Sequence, residues 1–174
     1  MKATMVIPSY WGRERAVGWQ EGDAIYDHPT PLDDEGTLQR ALESTAVLED
    51  TDFKLAVLAV PTSDDIAEDV EKKIASIINK VQPHSTIELF FFGQSHLSRI
   101  HTFLEGQGRN EYIDLLKLRG YSPVRNLCLF LPHILGSEIA VLIDDDEVFE
   151  DQHFMAKSRE FMRAGMNVAS RWKE

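Results

Sequence analysis

The chain contains a single cysteine, Cys128, which rules out an intrachain disulfide framework and suits a reducing compartment. No apolar stretch approaches the roughly 20 residues that a membrane helix requires. At the start, Lys2 leads only into the brief run Met5-Val6-Ile7 before Pro8, which is not the apolar segment of a signal peptide. These absences predict a cytoplasmic protein with no membrane span. Positive charge is also scarce: 18 Lys and Arg stand against 29 Asp and Glu, a formal net charge of -11 with a pI near 5.0. Nucleic acid and anionic membranes need a basic face that this composition hardly offers, so no nucleic-acid partner is expected. An anionic small molecule can still be held through a metal ion. Internal repeats and low-complexity segments are lacking as well.

What is present has globular composition. The 174 residues, 43% hydrophobic and 27% charged, are enough for one domain spanning 1–174 around a sizeable core. Residues 3 to 8, "ATMVIP", form a short apolar run that reads as a buried strand ended by Pro8. Residues 11 to 36 mix charge, Gly and Pro without a sustained period and read as a long irregular loop. Leu38, Ala41, Leu42, Thr45 and Leu48 have helical spacing, and "FKLAVLAV" at 53 to 60 is a second buried strand. Ser63 followed by acids predicts an N-cap, with Ile66, Val70, Ile74, Ile77 and Ile78 on one helical face. "TIELFFF" at 86 to 92 reads as a third strand, residues 94 to 109 are ambiguous, and 110 to 119 read as an amphipathic helix. Ser122-Pro123 predicts the start of a further helix that Gly136 closes. Residues 138 to 143 make a fourth strand, 154 to 162 a helix, and "NVAS" at 167 to 170 a short last strand. The alternation of strand and helix predicts a three-layer α/β/α sandwich with a mostly parallel sheet.

The fourth strand runs directly into four acids, "IAVLIDDDEVF" at 139 to 149. Adjacent carboxylates repel, by about 4 kcal/mol for a pair about 4 Å apart at an effective dielectric near 20, so water or a cation must offset the cost. In a parallel sheet, ligands sit outside the carboxyl ends of the strands, where Asp144, Asp145, Asp146 and Glu147 fall. In an extended segment, Asp144 and Asp146 face one point while Asp145 faces elsewhere. Mg²⁺ or Mn²⁺ carrying a nucleotide pyrophosphate is the natural guest, because these ions take one or two carboxylates together with phosphate oxygens. A P-loop ATPase reading fails for want of any G-x-x-x-x-G-K-[ST]. A response-regulator receiver would need further strands after Glu147. His96 and His101 have neither zinc-helix spacing nor an accompanying Cys, and Cys128 lies on an apolar stripe and reads as core.

"VIPSY" at 6 to 10 and "GYSPVRNLCLFLPHILGSEIAVLIDDDE" at 120 to 147 carry a closer likeness. An apolar strand ending Pro-x-Tyr, a Gly, an Arg-Asn pair opening a helix and an Asp-x-Asp motif follow in the order found in family 2-like GT-A glycosyltransferases, which the chain resembles over roughly residues 3 to 150. The resemblance implies the GT-A fold, a nucleoside-diphosphate sugar as donor, Mg²⁺ or Mn²⁺ as cofactor, and transfer to an acceptor it does not identify. It places Pro8 and Tyr10 beside the nucleotide, Arg125 near the base or phosphate, Asp144 near ribose and metal, Asp145 on the nucleotide side, and Asp146 on the metal. Where the family carries Asp-Asp-Gly-Ser after its second strand, this chain has "AVPTSDD" at 59 to 65, and Asp64 or Asp65 stands in for the base-holding acid. The chain stops about where an acceptor-binding half would begin, so the expectation is the donor-binding half.

Other readings stay open beside this one. A sugar-phosphate nucleotidylyltransferase shares the fold and metal but wants a Gly-rich, Arg-containing loop after the first strand, which "SYWGRERAVG" approximates poorly. A non-catalytic α/β interaction domain keeps the fold without nucleotide affinity. Arg125 could pair on a helix surface with Glu138 or Asp114, Tyr10 and Trp11 could simply cover the sheet edge, and Gly12 to Arg15 could reach a pyrophosphate but read rather as solvated loop.

Overall fold

In a computed structural model, residues 1–164 are described. The expected strand at 167 to 170 lies outside them. One sheet is built from β1 (Ala3–Gly12), β2 (Thr30–Pro31), β3 (Lys54–Pro61), β4 (Glu88–Phe92) and β5 (Ile139–Leu142), and every pairing among them is parallel. The helices are α1 (Leu38–Ser44), α2 (Ala67–Val81), α3 (Gln94–Gly106), α4 (Tyr121–Ile134) and α5 (Phe154–Arg163).

Register explains how a nearly continuous apolar sequence makes two separate cores. Thr4 pairs with Lys54, Lys54 with Glu88, and Ala3 with Ile139, so across β1, β3, β4 and β5 odd residues lie beside odd ones and even beside even. Side chains alternate along each strand. The odd set Met5, Ile7, Leu55, Val57 and Val141 therefore packs with α1, α2 and α5 through Leu42, Ile74 and Met155. The even set Val6, Ala56, Leu58 and Phe92 packs with α3 and α4 through Leu97, Val124, Leu127 and Leu131. Helices cover both faces, the condition under which parallel strands read as unbroken hydrophobic runs.

The first strand does not end at Pro8. β1 continues to Gly12, pairing with β3 as far as Trp11 and Pro61. Main-chain groups of the even residues face the opposite edge: the Val6 carbonyl accepts the Ile143 N–H at 3.2 Å, and the Gly12 carbonyl accepts the Leu32 N–H at 3.2 Å. On that edge β5 pairs only up to Val6 and β2 begins only at Trp11. Pro8 lies opposite the gap between them, where a missing N–H costs no ladder bond.

Three further boundaries differ from the sequence reading. Residues 94 to 109 contain α3, whose Leu97, Ile100 and Leu104 share a helical face against the even core. Residues 110 to 119 form a 3₁₀ turn over Asn110–Leu115 instead of a helix. From there Leu116 and Leu118 are both buried with Lys117 exposed, a period of two that draws the segment out along the core. α4 starts after Gly120, at φ 82°, so Pro123 sits third in the first turn, where no intrahelical donor is needed. Its end is as expected. Gly136, at φ 70°, donates to His133 and Ser137 donates to Pro132, the paired bonds of a Schellman motif.

Candidate functional site at the switch point

The chain runs outward from β1 to β3 and β4, then returns to lay β5 on the other side of β1. Strand order therefore reverses between β1 and β5, and a crevice at their carboxyl ends is where open α/β sheets bind ligands. The segments that meet there are Pro8 to Trp11 at the end of β1 and the four acids after β5.

The acids are not extended. The Glu147 N–H donates to the Asp144 carbonyl and the Asp144 N–H donates to the Glu147 carboxylate, both at 3.3 Å, closing a turn over 144–147. Alternation along a strand therefore does not decide where the side chains go. Asp144, Asp146 and Glu147 are exposed, and Asp145 turns inward. The Ser9 hydroxyl donates to Asp145 Oδ2 at 2.6 Å and itself accepts the Trp11 indole N–H at 2.8 Å. Burial pushes the Asp145 carboxyl above the ordinary carboxylate range; the Ser9 bond opposes that rise, while Asp146 and Asp144 add to it. On the other side of the sheet, Arg125 Nη2 of α4 lies 3.4 Å from Asp144 Oδ1. Arg125 thus pairs with neither Glu138 nor Asp114. Glu138 accepts the Lys2 backbone N–H, and Asp114 pairs with Lys117.

Tyr10 points into the even core beside Arg125. It packs against Tyr26 at 4.6 Å and Tyr121 at 5.8 Å between ring centroids, and those two rings meet edge-on at 5.3 Å. Its hydroxyl is buried without a hydrogen-bond partner, and burial pushes the phenol above its ordinary value despite the nearby Arg125 charge. The other two hydroxyls accept main-chain N–H groups, Tyr26 from Gly120 at 2.8 Å and Tyr121 from Asp27 at 2.7 Å. These bonds staple the segment after β1 onto the start of α4.

That segment is more ordered than its composition suggests. Arg13 donates from Nε and Nη2 to Asp23 at 2.9 to 3.2 Å and from Nη1 and Nη2 to Asp65 at 2.7 and 2.9 Å. The Arg13 and Asp23 side chains are 11% and 3% exposed, so this is a buried clamp and not a solvated loop. Arg15 is the solvated member, ion-paired with Asp34. Asp65 is ion-paired with Arg13, and the guanidinium lowers its carboxyl to about 2.

Of the residues expected at the site, Pro8, Tyr10, Arg125, Asp144, Asp145 and Asp146 lie at the carboxyl ends of β1 and β5 and on α4 beside them, and Asp65 is ion-paired with Arg13. Sequence reasoning does not single out Ser9, Tyr26 or Tyr121, and it reads Arg13 as solvated. Ser9 carries a signal, since it lies two residues from Trp11 on one strand face beside a strand that ends in acids. Tyr26 and Asp23 sit in an aperiodic stretch that gives no local sign of their partners. Among the described residues, no group of three or more His, Cys, Asp or Glu side chains is placed to hold a metal ion. Asp144 and Asp146 offer the one or two hard oxygen donors that a Mg²⁺ or Mn²⁺ ion shared with phosphate takes from a protein. No helix among the described residues is long and apolar enough to cross a membrane. No protein-family model, curated protein or solved structure matches the chain.

Proposed function

We propose that this chain binds a nucleoside-diphosphate sugar through a divalent cation and is the donor-binding part of a GT-A-type glycosyltransferase working in the cytoplasm. The observation that carries this reading is the 2.6 Å bond from Ser9 to Asp145. It joins the Pro-x-Tyr strand end to the acidic motif, two segments that the family likeness singles out separately, and it does so at the switch point of a parallel sheet. Arg125 lies at the same sheet edge, 3.4 Å from Asp144, and its charge reaches Tyr10. In this reading Asp144 and Asp146 hold Mg²⁺ or Mn²⁺, which as a Lewis acid stabilises charge on the departing diphosphate. Arg125 takes a phosphate or base oxygen, and Pro8 and Tyr10 border the nucleotide. A nucleotidylyltransferase would need the loop after β1 to grip the triphosphate, but its Arg13 is already engaged by two carboxylates.

The test is calorimetric titration of the protein with UDP and GDP, with Mn²⁺ or in EDTA. The expected result is binding that requires the metal, because the acids and the diphosphate otherwise repel. Equal affinity in EDTA overturns the metal bridge. Absence of binding in both conditions returns the chain to a non-catalytic interaction domain.

A further inference from the structure

We propose that Asp145 is the anchor of the acidic turn, not a ligand of metal or nucleotide, and that Ser9, set by Trp11, is the positioning residue that selects it. The inference rests on the nucleotide-binding reading above. An indole N–H can only donate, an ionised carboxylate can only accept, and a serine hydroxyl has one proton. Between Trp11 and Asp145 the Ser9 hydroxyl therefore has one arrangement: it accepts from Trp11 at 2.8 Å and gives its proton to Asp145 at 2.6 Å.

Both upstream members are buried. Ser9 and Trp11 are 0% exposed, and as residues i and i+2 of β1 they share one face. Lys73 of α2 lies 5.6 Å over the Trp11 ring, with its ammonium donating to the Leu32 carbonyl at 3.1 Å. The hydroxyl is thus a fixed donor aimed across the switch point. One acid of the four accepts it and turns inward. Closure of the 144–147 turn then leaves Asp144 and Asp146, on either side of the anchor, exposed at the carboxyl edge of the sheet. This gives a reason for three consecutive Asp residues where an Asp-x-Asp motif needs two.

An anchor and a ligand respond differently to loss of charge. Asp145→Asn keeps an oxygen that accepts from Ser9, whereas Ser9→Ala removes the donor and leaves all four acids in place. If Asp145 is the anchor, Ser9→Ala weakens Mn²⁺-dependent UDP or GDP binding by about tenfold or more, the effect of losing a hydrogen bond to a charged group. Asp145→Ala does the same from the other end, which covers the case of a poorly folded Ser9 variant. Asp145→Asn loses no more than about threefold. In ¹⁵N spectra, the Trp11 indole resonance, assigned with Trp11→Phe, moves in Ser9→Ala. Wild-type protein that binds while Asp145→Asn fails as completely as Asp146→Asn overturns the anchor and makes Asp145 a ligand. Unchanged binding in Ser9→Ala, or an unmoved indole resonance, overturns the positioning role alone. Wild-type protein that binds neither nucleotide overturns the functional reading and this inference with it.

Discussion

Arg125 and Asp144 face each other across the switch point at 3.4 Å, with side chains 47% and 59% exposed. This is a loose pair between the first turns of α4 and the end of β5, and exposed pairs of this kind contribute little to stability, about 0 to 1 kcal/mol. Arg125 is therefore free to exchange its carboxylate for a phosphate or base oxygen. Arg125→Ala is expected to weaken metal-dependent nucleotide binding by about 1.5 to 3 kcal/mol, the range for hydrogen bonds to charged groups, with an almost unchanged Tm. Calorimetry and thermal melts on the same preparation check both halves. An unchanged Kd would leave Arg125 as a surface residue of α4.

The Arg13 clamp predicts acid sensitivity with a defined sign. The Arg13 guanidinium lowers the Asp23 carboxyl below its usual range and brings Asp65 to about 2. Groups whose folded pKa is depressed stabilise the fold above the unfolded value, about 3.9 for Asp, and that contribution is lost as pH falls through the folded value. Stability of the wild type should fall between about pH 4 and about pH 2, with Asp23 responsible for more of it than the largely exposed Asp65. Arg13→Ala leaves a buried carboxylate without its partner, so Tm at pH 7 should drop by on the order of 5 to 15 °C. Part of the acid dependence should vanish with it. Urea midpoints measured across this pH range for both proteins decide the matter.

These residues also show where sequence reading stops. Apolar runs such as "FKLAVLAV" are legible as buried strands because parallel strands are covered on both faces, and α2 is legible because its apolar residues recur at helical spacing. The acids are legible as a site because they follow a buried strand. That Asp145 parts from Asp144 and Asp146 is legible too, but the alternation of an extended segment is not its cause, since a turn closed by two 3.3 Å bonds sets it. Arg13, Asp23 and Asp65 are opaque for a different reason: the clamp joins positions 10 and 52 residues apart, and local pattern carries no information about such pairs.

Cys128 gives a simple check on the even core. It is fully buried on α4, and burial pushes its thiol up to about 11, so at neutral pH it is both protonated and shielded. A disulfide reagent such as DTNB should leave it unmodified in the native protein and label one thiol per chain in denaturant. Rapid native labelling would mean that α4 does not pack on the sheet as described.

The acidic turn itself allows the sharpest contrast, between neighbours that are both exposed and both charged. Asp146 stands next to the half-buried Asp145 carboxyl and raises its pKa, so it adds repulsion to the apo fold. Asp146→Asn keeps the shape and removes that charge. The apo protein should melt slightly higher, while metal-dependent nucleotide binding should fall by more than about tenfold, because a hard cation needs the anionic oxygen. Glu147 acts on the backbone instead, since its carboxylate accepts the Asp144 N–H at 3.3 Å and helps close the turn. Glu147→Gln retains an oxygen for that bond, so its effect on binding should be small. Paired titrations with Mn²⁺ and UDP or GDP, with thermal melts of the apo proteins, separate the two positions. A solvated turn with no role in binding would give equal and minor changes from both substitutions, and that result would remove Asp146 from the site.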